Sequence, residues 1–135
     1  MGLMGYLLDT DTCIQALKTL NPGLIMKLEM HEGQLSTSAI VLHELYYGAA
    51  GYAHPKQRHF LIDQLASRLS ILPFDRAAAA HAGELRHTLR KSGQPIGPYD
   101  VLIAATAMAL KLVLVTGNVR EFSRIKNLRF ENWIS

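Results

Sequence analysis

Three acidic side chains in this sequence, Asp9, Glu44 and Asp100, stand where they could form one hydrolytic centre. Asp9 ends a short apolar run, and Asp100 is the single charge in the otherwise apolar segment 96–110. Taken one at a time, they are better explained as a helix cap, a solvent-facing glutamate and an acid paired with a helix dipole. Three carboxylates cannot converge without a counter-charge, because like charges raise one another's pKa. An oxygen-liganded Mg²⁺ or Mn²⁺ would resolve that repulsion, and such a site is suited to cleaving phosphodiesters.

The elements that must position these acids follow from the hydrophobic pattern. Short apolar runs predict buried strands over residues 3–8, 35–37, 70–74, 112–115 and 128–130. Helices are predicted between them, over residues 11–20, 22–32, 39–50, 55–69 and 76–91, with a further buried helix running on from Asp100. This alternation favours an α/β fold, a three-layer α/β/α sandwich with a short-stranded, mostly parallel sheet.

Polar residues are expected to gather at the carboxyl ends of the strands, where open α/β sheets place their sites. Asp9 follows the first strand, Ser38 the second, and the run Thr116-Gly117-Asn118 the fourth. Glu44 lies in the second turn of the helix that Ser38 caps, and helical side chains lean toward the N-terminus. Its carboxylate is therefore predicted to reach back to the same edge as Asp9. His43 is predicted to lie on the surface, since it points roughly 100° away from Glu44 around the helix.

The length and composition bound the class of protein. The 135 residues are most simply one domain, residues 1–135, and 49% of them are hydrophobic, which is enough for a core. Cys13 is the only cysteine, which excludes a disulfide framework and a thiolate zinc site. The sequence shows no secretory signal and no apolar segment long enough to span a bilayer, so we expect a cytoplasmic protein.

The formal net charge is +3, a weak indication of a nucleic-acid partner. Basic side chains cluster just before the acidic segment and again after the fourth strand. They are either a solvated surface or a basic rim that binds RNA around an acidic centre. The candidates for RNA contact are Arg86, Arg90, Lys91, Arg120, Arg124 and Lys126.

Several blocks of the sequence, in order along nearly the whole chain, carry a family resemblance. They are YLLDT at 6–10, ELYYGA at 44–49, IGPYDVLIAA at 96–105, LVTGNVREF at 114–122 and LRFENW at 128–133. With these blocks the chain resembles the PIN-domain toxins of the VapC type, which are ribonucleases of bacterial toxin–antitoxin pairs. The first block alone is a weak signal, whereas the block at 96–105 and the block at 114–122 with its closing segment 128–133 are specific.

The resemblance implies roles for individual residues. Asp9, Glu44 and Asp100 correspond to the metal-binding acids of the family. Asn118 stands where many members carry a fourth acid, so it is at most a weak ligand, and a full second metal site is in doubt. Asp11 is expected to cap the first helix, although it could also add negative charge to the site. The hydroxyls expected to orient the carboxylates or a water belong to Thr10, Ser38 and Thr116.

The family also implies partners and a substrate. We expect a homodimer, a cognate VapB-type antitoxin that occupies the active-site groove, and an endoribonuclease activity that depends on Mg²⁺ or Mn²⁺. The enteric relatives that look most similar cleave initiator tRNA in the anticodon stem-loop, which makes this tRNA the expected substrate. The expected nucleophile is a metal-activated water, since no histidine stands where an obligatory general base is needed.

Two alternatives remain open at the level of sequence. The run Asp9-Thr10-Asp11 after an apolar strand resembles the opening of a haloacid-dehalogenase-type phosphatase, with Asp9 as the nucleophile. Members of that family have threonine or valine at the position of Cys13. They also have an acid after a later strand, where residues 116–118 contain none. The other alternative is a non-catalytic PIN-like module that only binds RNA or a protein.

Overall fold

Strands and helices alternate along the part of the chain that the structure describes. The computed structural model describes residues 5–135, so residues 3 and 4 of the first predicted strand lie outside the described residues. The strands are β1 (Tyr6–Leu8), β2 (Leu35–Ser38), β3 (Ser70–Leu72), β4 (Val113–Val115) and β5 (Phe130–Glu131). The helices are α1 (Thr10–Lys18), α2 (Pro22–Met30), α3 (Ala39–Ala49), α4 (Pro55–Ala66), α5 (Arg76–Lys91), α6 (Pro98–Ala109) and α7 (Val119–Phe122).

The strands form one five-stranded sheet in the order β3-β2-β1-β4-β5. All four neighbouring pairs are parallel, so the predicted α/β class with a short-stranded parallel sheet is confirmed. Leu7 and Leu8 of β1 and the whole of β4 are buried, as expected for central strands of a parallel sheet covered by helices. The edge strand β3 is the more exposed one, with Ser70 and Ile71 open to solvent.

The strand order reverses between β1 and β4. From β1 the chain adds β2 and then β3 on one side, and it crosses afterwards to β4 and β5 on the other. The pairing of these two strands continues one residue beyond β1, since the Asp9 amide donates to the carbonyl of Val115, the last residue of β4, at 2.9 Å. In open parallel sheets, ligands bind in the crevice that such a reversal leaves at the carboxyl ends. Asp9 and Thr116, which follow β1 and β4, are therefore placed at that crevice.

Helix α6 gives Asp100 a rigid support. Pro98 opens the helix, where a missing N–H leaves no hydrogen bond unmade. Val101 and residues 103–107 are all buried, and α5 packs along the helix. Asp100 lies in the first turn, as predicted, so the buried turns behind it hold its backbone in place.

The structure differs from the predicted elements mainly at their ends. Helix α4 ends at Ala66 instead of residue 69, because a turn follows in which the Leu69 amide donates to the Ala66 carbonyl at 3.0 Å. The sequence pattern does not predict α7, because four residues are too few to show a helical period. Over residues 5–135, no helix combines the length and the apolar character that a membrane crossing requires.

Candidate active site

Asp9 is the most enclosed acid of the crevice. It ends β1, forms the N-cap of α1 and is only 4% exposed. Its Oδ1 accepts the Thr10 amide at 2.8 Å, and its Oδ2 accepts the Thr116 hydroxyl at 2.8 Å. Burial raises the pKa of Asp9 to about 6, because the charged form is poorly solvated there; the hydrogen bonds oppose the shift, and the nearby carboxylates of Asp11 and Glu44 add to it.

Glu44 reaches the same edge from α3. Ser38 caps that helix, since its Oγ accepts the Val41 amide at 3.0 Å. Glu44 lies on the second turn, and its Oε1 accepts the Thr10 hydroxyl at 2.7 Å, across 34 positions of sequence. The Ser38 hydroxyl thus begins the helix that carries Glu44 and contributes to the site by that route.

Asp100 completes the set from α6. It is half-buried, and its pKa is raised to about 7, first by desolvation and then by the negative charges of Asp9, Glu121 and Glu44. The structure therefore brings three acids from three elements to one edge, and within residues 5–135 no lysine or arginine shifts the pKa of Asp9 or Asp100.

Glu121 is a fourth acid of this edge, and it was missed by the sequence reasoning. Its Oε1 accepts the Gly97 amide at 3.0 Å, and its Oε2 accepts the Asn118 Nδ2 at 2.6 Å. These bonds lower the pKa of Glu121, while a protonated Asp100 donates to it. One signal in the sequence could have identified it. Glu121 stands three residues after Asn118, beyond the carboxyl end of β4, and one helical turn returns a side chain at that spacing to the crevice.

The loop after β4 is tied to the site by backbone amides. The Asn118 amide donates to the Thr116 hydroxyl oxygen at 3.0 Å, so Thr116 relays a bond from the loop to Asp9. Asp11 Oδ2 accepts the Gly117 amide at 2.9 Å. The expectation that Asp11 caps the first helix is wrong, because Asp9 is the N-cap residue. Asp11 instead binds the loop after β4 through the Gly117 amide.

The donor set suits a hard divalent cation. Asp9, Glu44 and Asp100 offer only oxygen ligands, which Mg²⁺ and Mn²⁺ prefer. Each carboxylate oxygen has two lone pairs, so both oxygens of Asp9 can bind an ion while they accept hydrogen bonds. Within residues 5–135, no three Asp, Glu, His or Cys side chains are grouped closely enough to hold a metal ion as they stand. Mutual repulsion favours this spread arrangement, and a shared ion would require rotations of the acid side chains.

The predicted basic residues divide into two groups. Arg86 and Arg90 of α5 line a cleft of about 290 Å³ beside the start of α6, and Arg124 Nη1 donates to the Pro95 carbonyl at its edge at 2.8 Å. Lys91, Arg120 and Lys126 are exposed and do not line the cleft. The other residues that line it are Leu89, Pro95, Ile96, Pro98 and Val101.

Comparison of the sequence with known proteins gives matches over nearly its whole length. The family model described as "PIN domain" matches residues 6–128. The chain is 36% identical over 131 residues to the "tRNA(fMet)-specific endonuclease VapC" of Shigella flexneri, which covers 97% of this chain and 99% of that protein. It is 39% identical over 132 residues to the "Ribonuclease VapC2" of Rickettsia felis, with 96% and 98% covered.

Solved structures agree with these matches. A chain of the DNA-bound VapBC complex from Salmonella typhimurium superposes with a TM-score of 0.93 at 37% identity, covering 97% of this chain and 99% of that one. A chain of VapBC2 from Rickettsia felis, bound to a promoter DNA fragment, gives a TM-score of 0.91 at 38% identity, with 96% and 99% covered. Nucleases with PIN domains generally depend on a divalent metal. The chain belongs to the PIN-domain family, within its VapC group of toxin ribonucleases.

Proposed function

We propose that this chain is the toxin of a toxin–antitoxin pair and a Mg²⁺- or Mn²⁺-dependent endoribonuclease that cleaves initiator tRNA in the anticodon stem-loop. The observation that carries the metal site is the environment of Asp9, which is 4% exposed, has its pKa raised to about 6 and lies beside Glu44. A buried carboxylate whose charged neighbours are other acids destabilises a fold but suits a cation. The choice of tRNA is supported by relatives from Shigella flexneri and Salmonella typhimurium that are named tRNA(fMet)-specific endonucleases.

The metal ligands in this proposal are Asp9, Glu44 and Asp100, with Asn118 as a weak fourth. The Nδ2 of Asn118 donates a hydrogen bond to Glu121, so its Oδ1 is the atom that can bind an ion. The bound ion would stabilise the negative charge that develops on the phosphodiester and lower the pKa of the attacking water. Replacement of Asn118 by aspartate should then tighten a second ion, which titration calorimetry with Mn²⁺ measures as stoichiometry.

The threonines position the acids. The Thr10 amide binds Asp9 while its hydroxyl binds Glu44, so one residue fixes two carboxylates relative to each other. The Thr116 hydroxyl binds the second oxygen of Asp9. Hydrogen bonds of this kind hold ligand oxygens in the orientation that an ion requires, and their loss typically costs about 10- to 100-fold in affinity or activity.

The arginine cleft is the proposed path of the RNA backbone. Arg86 and Arg90 lie beside the first turn of α6, which carries Asp100, and guanidinium groups bind phosphates bidentately. Arg124 borders the same cleft through its bond to Pro95. The exposed Lys91, Arg120 and Lys126 extend the positive surface around it. Each phosphate contact should appear as a steeper salt dependence of RNA binding.

Further parts of the proposal concern partners and organisation. A VapB-type antitoxin is supported by the VapBC complexes to which the chain is similar. A homodimer contact and an antitoxin contact both require an exposed apolar surface, and large apolar side chains such as Tyr47 and Phe60 are 79% and 59% exposed.

Action on tRNA implies a cytoplasmic location. A single domain, residues 1–135, is supported by one sheet with one connected core over the described residues.

Family membership favours the nuclease over a haloacid-dehalogenase-type phosphatase with Asp9 as nucleophile. The relatives are named as nucleases, which favours an enzyme over a module that only binds RNA or protein. The phosphatase would form a phosphoaspartyl group at Asp9, and mass spectrometry of the intact protein after exposure to a phosphate ester measures this mass directly.

The decisive experiment is cleavage of tRNA by the purified protein. Total tRNA is incubated with Mg²⁺ or Mn²⁺, with and without EDTA, and the new RNA ends are sequenced. We expect cuts in the anticodon stem-loop of initiator tRNA that EDTA abolishes. Asp9→Asn should remove the cleavage, whereas Asp75→Asn, which changes the exposed N-cap of α5, should not. Cleavage that survives EDTA would contradict the metal site, and cuts in other RNAs would contradict the substrate.

A further inference from the structure

An aromatic pair joins the two helices that carry Glu44 and Asp100. His43 of α3 and Tyr99 of α6 each stand one residue before one of these acids. Their ring centroids are 5.6 Å apart at an interplanar angle of 66°, and the Tyr99 hydroxyl lies 3.4 Å from His43 Nε2. The prediction that His43 lies on the surface is confirmed, and its contact with Tyr99 is a feature that the sequence reasoning did not find.

The pair keeps an aromatic surface open at the rim of the acidic edge. Rings at a steep angle do not cover each other's faces as a parallel stack does, and 44% of Tyr99 is exposed. A large exposed aromatic side chain beside an active site has a large contact area and little conformational freedom to lose. Such a side chain can bind a planar group of a ligand by stacking.

Tyr99 and the arginine cleft lie on opposite sides of Asp100. Successive residues of a helix are about 100° apart, so Tyr99 and Val101 diverge from Asp100 in opposite directions. Val101 lines the arginine cleft, and Tyr99 contacts His43. An RNA strand that crosses the acids from the cleft would therefore reach Tyr99 on the far side.

We propose that Tyr99, positioned by His43, is the platform on which an unpaired nucleobase next to the cleaved phosphodiester stacks. This inference rests on the proposed ribonuclease function. The proposed ion would contact the cleaved phosphodiester but not the bases beside it, and stacking on an aromatic ring holds a base by a contact that needs no positive charge. The platform also selects single-stranded RNA, because a base inside a duplex has no free face.

The test compares Tyr99 variants on an anticodon stem-loop RNA of initiator tRNA. Tyr99→Ala and Tyr99→Leu should raise KM by about 5- to 150-fold, the range for loss of one stacked base, with kcat changed less. Tyr99→Phe should remain close to the wild type, because it keeps the ring. His43→Ala should give a smaller rise in KM, and His43→Phe should restore the wild-type value. Tyr52→Ala, which changes an aromatic side chain of similar exposure (49%) just beyond the end of α3, is the matched control.

Substrates with one abasic loop nucleotide distinguish stacking from a structural role. At the stacked position, the abasic RNA should be cleaved equally by the wild type and by Tyr99→Ala, whereas a merely structural defect would persist on every substrate. Affinity for Mn²⁺ by calorimetry should be the same in both proteins. Equal KM values for wild type and Tyr99→Ala on the intact RNA overturn the inference, as does an altered oligomeric state or antitoxin affinity as the only effect.

Failure of the proposed function is a separate outcome. If the wild type cuts no RNA, the ribonuclease proposal fails, and the platform is then judged by fluorescence anisotropy with a labelled single-stranded RNA oligonucleotide. Weaker binding by Tyr99→Ala than by Tyr52→Ala would support the platform alone, and equal binding by both variants would reject it.

Discussion

Thr10 and Glu44 are joined by a hydrogen bond of 2.7 Å between the threonine hydroxyl and Oε1 of the carboxylate, although 34 positions separate them in sequence. The amide of the same threonine binds Oδ1 of Asp9. The distance between the first two acids is thus set by a single residue at the start of α1. This explains how a glutamate in the second turn of α3 can be held at the end of β1.

Replacement of Thr10 by valine should therefore impair the site without changing its charge. Valine keeps the amide and the side-chain shape but leaves Glu44 without its hydrogen bond. We expect metal affinity or tRNA cleavage to fall by about 10- to 100-fold. Thr10→Ser keeps the hydroxyl and is the matched control. Calorimetry with Mn²⁺ measures the metal affinity, and initial rates measure tRNA cleavage. A Thr10→Val protein with wild-type values of both would show that Glu44 does not depend on the hydrogen bond from Thr10.

Asp9→Asn should make the metal-free protein more stable at high pH. The pKa of Asp9 is raised from 3.8 to about 6 in the folded chain, so the folded state favours the protonated form. Stability from this group is fully present below pH 3.8 and is lost as the pH rises through 6. Asparagine is an equally good N-cap and carries no charge. At pH 8 in EDTA, the free energy of unfolding of Asp9→Asn should exceed that of the wild type by up to about 3 kcal/mol.

Urea denaturation at pH 5 and pH 8 measures this effect, with Asp75→Asn as a second N-cap change outside the site. The advantage of Asp9→Asn should shrink at pH 5 and reverse when Mn²⁺ is added, because the ion stabilises only a folded chain that binds it. An Asp9→Asn protein that is less stable than the wild type at pH 8 in EDTA would mean that the buried charge is compensated.

Metal binding itself should compete with protons between pH 5 and pH 8. Asp9 and Asp100 have pKa values raised to about 6 and about 7, and an ion displaces their protons. Apparent Mn²⁺ affinity should rise across this range and level off above pH 8. Binding should also release protons, which calorimetry in buffers of different ionisation enthalpy detects. A flat affinity between pH 5 and pH 8 would remove these two acids from the ligand set.

The sheet and its order of elements could be predicted because burial leaves a local trace in sequence. Strand β1 and the helix behind Asp100 are apolar on nearly every side, and Leu7, Leu8 and most of that helix are buried. Glu121 left no such trace, because its place at the site depends on α7, a helix of four residues whose position is set by tertiary contacts. Phe60 lies at helical spacing in α4 but is 59% exposed, since Ile62 carries the buried face. Hydrophobic periodicity does not distinguish a helix face that packs in the core from an apolar face that is exposed.

Glu121→Gln should make Asp100 easier to ionise. The Glu121 charge and its hydrogen bond both raise the pKa of Asp100, and glutamine removes the charge. The midpoint of the pH dependence of Mn²⁺ binding should therefore move to lower pH. Glu84→Gln removes one negative charge from the exposed face of α5 and should leave the midpoint in place. A shift to higher pH in Glu121→Gln would indicate that Glu121 acts as a ligand or orienting base instead.

Gly117→Ala should destabilise the loop that links Asp9 to Asn118. An added Cβ would lie 2.7 Å from Ile134 Cδ1 and 3.0 Å from Asp11 Oδ2, the oxygen that accepts the Gly117 amide. Overpacking of this kind typically costs about 1–3 kcal/mol, and here it also pushes on the loop that supports Thr116. Both the free energy of unfolding and the cleavage rate should fall.

Gly83→Ala is the matched control, because a Cβ there meets no atom within 4 Å and the residue lies inside α5. Alanine should stabilise that helix by about 0.5–1 kcal/mol and leave cleavage unchanged. Urea denaturation and initial rates on tRNA distinguish the two glycines. If Gly117→Ala lost cleavage but kept the wild-type free energy of unfolding, the loop would be a mobile part of the site, and the bond between Gly117 and Asp11 would serve catalysis more than the fold.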